Sequence, residues 1–271
     1  MIYKKIPLDA ENENVFLECF VAEKLPYFTR KAILVIPGGG YGCVCADREG
    51  EPIALAFLPH GFNAFVLHYS VRSNSDKVFP TQLIEASKAI KYIRDNAEEF
   101  GIDKDAVFAT GFSAGGHLCA SLGILWNIPA VYEAIDMPYG YNKPNGIMPV
   151  YPVINFNRTT LKNLYGKEEL TEEELHRVQL DRHITKESSP AFIMHTSNDE
   201  IVPVSNSLDL ARAYAEAGMT FELHVYPDGP HGVALGNEIT NNGRPKYVDA
   251  SIAKWIENAA YWADKIVKNN V

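Results

Sequence analysis

Positive charge is in short supply: 25 Lys and Arg face 34 Asp and Glu, a formal net charge of −9 over 271 residues. Such a balance gives the chain no electrostatic reason to seek phosphate backbones or anionic lipid heads. Neither nucleic acid nor a membrane is therefore expected as a partner. Cysteine is also sparse. Cys19, Cys43, Cys45 and Cys119 are spaced neither as the disulfide framework of a small secreted domain nor as paired C-x-x-C metal knuckles. They read as reduced thiols of a cytoplasmic protein. No apolar run approaches the roughly 20 residues of a membrane span, and the longest ones, around 32–37 and 64–67, are strand-sized. The N-terminus, Met1-Ile2-Tyr3-Lys4-Lys5-Ile6-Pro7, turns acidic at Asp9, Glu11 and Glu13 without the apolar core of a signal peptide.

What is present is a rhythm. Apolar runs of strand length alternate with longer amphipathic segments, the pattern of βα units feeding a mostly parallel sheet with helices on both faces, an α/β class. One domain over 1–271 is expected, with a small cap-like insertion at about 155–189. Val15–Val21 reads as an edge strand of an antiparallel start, and Ala32–Ile36 as a strand buried on both faces. Strands are also expected at Asn63–Tyr69, Ala106–Thr110, Gly146–Val150, Ala191–Thr196 and Phe221–Tyr226. Helices are expected over Arg48–His60, from Pro80 to about Phe100, from Ser113 to about Trp126, over Val204–Ala217 and over Tyr247–Val267. In the acid-rich insertion, Leu170–Arg177 looks helical behind the N-cap candidate Thr171. Insertions of this length often serve as lids or binding loops.

The chemistry concentrates at Gly111-Phe112-Ser113-Ala114-Gly115, between an expected strand and an expected helix. A sharp strand-to-helix turn crowds the backbone around its serine, and glycine two residues away on each side removes the collision. The turn lifts the Ser113 hydroxyl clear of the sheet, and the helix aims its first free N–H groups at any negative charge forming there. Ala114 is then one oxyanion donor. Gly38-Gly39-Gly40, directly after a buried strand, occupies the place of the second half of such a hole, and Gly39 and Gly40 are assigned as donors.

A serine nucleophile needs a histidine to take its proton and a carboxylate to orient that imidazole. His231 lies in a Pro/Gly loop, Pro227 to Gly232, after the last expected strand. His60, His68, His117, His176, His183 and His195 lie before the acid, His224 lies in an expected strand, and all seven read as packed or solvated. Asp199 follows the strand Ala191–Thr196 in a short loop, where ligand sites gather. Glu200 and Asp228 are rival carboxylates, although Asp228 is so near His231 in sequence that reaching its Nδ1 would be awkward.

With P-G-G-G-Y at 37–41, G-F-S-A-G-G-H at 111–117 and D-x-x-V-P at Asp199, the chain resembles the bacterial α/β-hydrolases grouped as esterase/lipase or acetyl-xylan-esterase-like (BD-FAE-like) proteins, some of them labelled sugar hydrolases. The resemblance covers nearly the whole core and implies the α/β-hydrolase fold. It implies Ser113, Asp199 and His231 as the triad, with oxyanion donors in the Gly38–Gly40 loop and at Ala114. Pro37 stands where hormone-sensitive-lipase-like relatives carry the histidine of H-G-G-G, which speaks against bulky lipid acyl chains. The resemblance implies a serine carboxylesterase for short acyl esters, particularly acetyl esters of sugars or xylo-oligosaccharides, working without metal or organic cofactor. Tyr41 would overhang such a site and bind substrate by stacking on a sugar ring or acyl group, or else pack inside. Two other classes stay open, a prolyl-oligopeptidase-like peptidase and a binding protein on an inactive hydrolase scaffold. A homodimer also stays open.

Overall fold

The computed structural model of the chain describes residues 1–167 and 169–269. Its sheet has eight strands in the order β1-β2-β4-β3-β5-β6-β7-β8. They are β1 Ile2–Pro7, β2 Phe16–Val21, β3 Arg30–Ile36, β4 Phe62–His68, β5 Ile102–Phe112, β6 Gly146–Val150, β7 Ala191–Thr196 and β8 Phe221–Tyr226. The first two strands run antiparallel to their neighbours and the other six are parallel to one another.

Alternation within β3 shows how the sheet buries both faces. Ala32, Leu34 and Ile36 join one apolar cluster and Ile33 and Val35 the other, all at 0% exposure. Each large aliphatic side chain so buried contributes roughly 1.5–3 kcal/mol relative to exposure. One face is covered by helices Thr81–Asp95, Ala114–Ile124 and Ser205–Glu216, the other by Glu51–Phe57 and Trp255–Asn269.

Several expected boundaries are corrected. Val15–Val21 is a strand but not the edge, because Ile2–Pro7 pairs outside it, Ile2 opposite Val21 and Pro7 opposite Phe16. The helix expected over Arg48–His60 breaks at Gly50 (φ −110°, ψ −100°) into Ala46–Glu49, Glu51–Phe57 and a 3-10 turn ending at the left-handed Gly61. The next one stops at Asp95, where the Asn96 side chain donates back to the Tyr92 carbonyl, and a short second helix, Ala97–Phe100, follows. The last helix begins at Trp255 instead of Tyr247, after two 3-10 turns. The insertion carries helices Arg158–Tyr165 and Glu172–Val178, the second opened by a capping box between Thr171 and Glu174. No helix among the described residues is long and apolar enough to cross a membrane.

The parallel strands share one consequence: β3, β5, β7 and β8 all end on the same edge, in register. Ile36 pairs with Gly111, Phe112 with Val150 and Thr196 with Tyr226. The loops leaving that edge carry the glycine run, Ser113, Asp199 and His231.

Candidate active site

Ser113 sits at φ 53°, ψ −117°, a backbone conformation that non-glycine residues rarely hold. Its neighbours explain why it is kept. Its N–H donates to the Val150 carbonyl, and its own carbonyl accepts from His117 and Val153 N–H. A Cβ on Gly111 would lie 2.2 Å from the Gly115 carbonyl oxygen, and one on Gly115 2.2 Å from that of Ile36. The two flanking glycines are thus required by backbone contact.

From this elbow the hydroxyl reaches His231. Ser113 Oγ lies 2.9 Å from His231 Nε2, and His231 Nδ1 lies 2.7 Å from Asp199 Oδ2. With Nδ1–H donating to the carboxylate, Nε2 is left to accept the serine proton. Asp199 is 6% exposed, and its Oδ1 accepts the N–H groups of Ile201 and Val202, each at 2.9 Å. Burial pushes this carboxyl up. The hydrogen bonds from His195 and His231 and from the Val202 N–H outweigh burial and hold it well below the usual carboxylate range. Of the rivals, Asp228 holds the Asn198 amide and the Gly229 N–H.

The glycine loop is pinned from three directions. Gly38 N–H donates to Glu49 Oε2 at 2.8 Å, Tyr69 donates to the Pro37 carbonyl at 2.9 Å, and Asn163, from the insertion, donates to the Gly40 carbonyl at 2.9 Å. Gly38 is therefore engaged, whereas the N–H groups of Gly39, Gly40 and Ala114 meet no acceptor among the described residues.

Tyr41 requires a correction. It is 0% exposed and does not overhang the site. Its hydroxyl donates to His117 Nδ1 at 2.7 Å, and its ring meets Tyr69 edge-on at 6.1 Å between centroids. At φ 57° the backbone turns the side chain inward, under the loop.

Of three further residues with a place in the site, Glu49 and Tyr151 were not singled out from the sequence, and His195 was read there only as packed or solvated. His195, at the end of β7, lies 3.4 Å from Asp199 Oδ2. Glu49 and Tyr151 meet behind the glycine loop at 2.9 Å. A signal for Glu49 existed, since its spacing to Ile53 and Phe57 puts a carboxylate on the buried face of a helix.

Beside His231 opens a cavity of about 490 Å³ whose walls include Asn198, Asp228, Lys246, Tyr247 and Asp249. No group of three or more His, Cys, Asp or Glu side chains that could hold a metal ion occurs among the described residues.

Comparison with known proteins adds four likenesses. Residues 25–214 match the BD-FAE family. The chain is 37% identical to endo-1,4-beta-xylanase B of Butyrivibrio fibrisolvens over 77% of its own length and 33% of the relative's. It is 28% identical to an acetylxylan esterase of Xylanibacter ruminicola over 86% of its length and 47% of the relative's. It thus spans less than half the length of these two relatives. Among solved structures, MGS-M1, an alpha/beta hydrolase enzyme from a Medee basin deep-sea metagenome library, superimposes with a TM-score of 0.79 at 31% identity, covering 99% of this chain and 98% of that one.

Proposed function

The chain belongs to the BD-FAE family of the α/β-hydrolase fold, and from this premise we propose that it is a serine carboxylesterase acting on short acyl esters, with acetylated sugars or xylo-oligosaccharides as substrates. The observation that carries the reading is the continuous hydrogen-bonded line from Ser113 Oγ through His231 to Asp199, at 2.9 and 2.7 Å.

In this mechanism Ser113 Oγ attacks the ester carbonyl carbon while its proton passes to His231 Nε2. The carbonyl oxygen becomes an oxyanion facing the N–H groups of Ala114 and of Gly39 or Gly40, each such donor supporting about 10² to 10³ in rate. The carbon–oxygen bond to the alcohol breaks as His231 returns the proton to the leaving oxygen. A water then attacks the acyl-serine carbonyl and gives its proton to Nε2; the carbon–Oγ bond breaks as Nε2 returns that proton to Ser113 Oγ, and the carboxylic acid is released. Asp199 stays ionised throughout and holds the imidazole in the Nδ1–H tautomer.

The alcohol must touch His231, and the cavity bordering His231 is walled by amide, carboxylate, ammonium and phenol groups. Such walls suit a hydroxyl-rich alcohol better than a long aliphatic chain. The relative named acetylxylan esterase supports the same substrate class. The name of the xylanase relative suggests glycoside cleavage instead, which calls for a pair of carboxylates flanking the bond. Here a serine, a histidine and one carboxylate are joined in line.

The test is turnover of p-nitrophenyl acetate, butyrate and octanoate, with acetate release from acetylated xylose and xylo-oligosaccharides, by the protein and its Ser113→Ala variant. Preference for acetate together with a loss of several orders of magnitude in the variant is expected. A wild type no faster than the variant overturns the reading, and preference for octanoate overturns the substrate class.

A further inference from the structure

Glu49 is a carboxylate 3% exposed, one residue before the break that ends its short helix. A buried charge is costly unless donors surround it, and here the donors come from both halves of the site. Gly38 N–H donates to Oε2 at 2.8 Å from the glycine loop, and the Tyr151 hydroxyl donates to Oε1 at 2.9 Å. The Tyr151 oxygen in turn accepts the N–H of Ala234, and its ring lies edge-on to the His231 ring at 5.0 Å. The neighbouring Arg48 donates to the Gly232 carbonyl, next to the base. Burial pushes the Glu49 carboxyl up, and the bonds from Gly38 and Tyr151 together with the charges of Arg48 and His231 oppose that shift; Gly38 N–H and the Tyr151 hydroxyl both donate to it, so both carboxylate oxygens are acceptors.

From this arrangement we propose that Glu49 is a positioning residue for acyl transfer: its ionised carboxylate clamps the oxyanion loop, through Gly38, to Tyr151 and the His231 loop. The proposal rests on the esterase reading above. The clamp fixes the separation between oxyanion donors and base, to which acyl transfer is sensitive at the level of an ångström. Clearance there is small: a Cβ on Gly38 would lie 2.6 Å from the Phe112 carbonyl oxygen, 2.8 Å from Glu49 Oε2 and 3.1 Å from Ser113 Cβ. With its N–H drawn back to Glu49, Gly38 leaves the N–H groups of Gly39 and Gly40 to the substrate. The charge also has an electrostatic role. The charged and titratable groups facing Glu49 are Arg48, His231, Tyr69, Tyr151 and Cys45. Burial pushes the hydroxyls of Tyr69 and Tyr151 far up and the Cys45 thiol to about 12, so these three are neutral. Of the two that remain, only the His231 imidazole changes charge during turnover.

Glu49→Gln tests this in the full-length protein with p-nitrophenyl acetate. Glutamine can accept from Gly38 but presents an N–H to one of the two donors, and it removes the charge. We expect kcat to fall about 10- to 100-fold with KM within about threefold. The acid limb of kcat/KM should move to lower pH by about half a unit, because an imidazolium left with Asp199 as its one facing carboxylate forms less readily than one that also faces Glu49. Glu49→Asp keeps the charge but is one methylene short, so it should lose kcat while its limb moves less. A Glu49→Gln enzyme with wild-type kcat, or one whose limb stays in place, overturns the proposal. Should that variant not fold, Tyr151→Phe retains the carboxylate and cuts the clamp. It should lose about tenfold in kcat, and unchanged kcat overturns the clamp. An inactive wild type removes the esterase reading and this one with it, whereas an active wild type indifferent to these substitutions removes this one alone.

Discussion

His195 Nε2 lies 3.4 Å from Asp199 Oδ2, the same oxygen that takes the His231 Nδ1–H at 2.7 Å. Asp199 is therefore shared between two imidazoles four and 32 residues away in the chain. His195 is itself fixed: its Nε2 lies 2.9 Å from the Val202 carbonyl, so Nε2 carries the proton, and its Nδ1 accepts from the Ser207 hydroxyl at 2.7 Å. The Val202 N–H returns to Asp199 Oδ1. Together these bonds lock the loop that presents the acid.

Replacing His195 by leucine removes one donor from Asp199 and leaves the buried Ser207 hydroxyl without its acceptor. We expect a stability loss of about 1–3 kcal/mol, the cost of orphaned buried polar groups, read by urea unfolding. kcat on p-nitrophenyl acetate should fall about tenfold as the acid loop loosens. Unchanged kcat would mean that His231 alone holds Asp199 in place.

The depressed carboxyl of Asp199 has a pH signature. A group whose folded pKa lies below its ordinary value of 3.8 contributes stability that is fully present above 3.8 and is lost as pH falls through the folded value. An Asp199→Asn variant lacks this contribution at every pH. The difference in unfolding free energy between wild type and variant should thus be constant from pH 7 down to about 5 and should shrink below about 4. A gap that stays constant to pH 2.5 would show that Asp199 is not preferentially ionised in the folded state.

Tyr41 lends itself to a sharper comparison, because stacking on substrate and packing inside predict opposite results. His117 is fully buried, burial pushes its imidazole down to about 3, and its Nε2 lies 3.1 Å from the Val178 carbonyl. Its Nδ1 therefore depends on the Tyr41 hydroxyl. Tyr41→Phe should cost about 1–2 kcal/mol of stability and leave KM for acetylated xylose unchanged. A raised KM with unchanged stability would return Tyr41 to the substrate.

Much of this site was legible in the sequence because its constraints are local. The elbow is marked by glycines that backbone contacts demand, and β6, β7 and β8 begin and end where the apolar runs do. What was not legible depends on pairing across the chain. Ile2–Pro7 alternates too weakly to stand as a strand until β2 supplies a partner. The spacing of Glu49 to Ile53 and Phe57 hints at a buried carboxylate, but its partners, Gly38 11 residues back and Tyr151 102 residues on, appear only in the fold. Tyr41 follows the glycines in sequence, but its direction is set by a positive φ that no residue pattern announced.

The insertion supplies the last prediction. Asn163, on helix Arg158–Tyr165, donates to the Gly40 carbonyl at 2.9 Å, and Arg72 binds the Asn163 carbonyl through Nε at 3.2 Å and Nη2 at 3.0 Å. The segment is thus docked on the back of the glycine loop, where it holds the Gly40 carbonyl. Asn163→Ala removes the one side-chain bond to that carbonyl seen among the described residues, which should cost about 1 kcal/mol in stability. If Gly40 or its neighbour faces the oxyanion, kcat should fall about 5- to 20-fold with KM little changed, since the donor matters more to the transition state than to the bound ester. Asn163→Asp is the control: it places a carboxylate against the carbonyl oxygen and should be worse than alanine. If both variants match wild type in kcat, the insertion has no hold on the oxyanion loop.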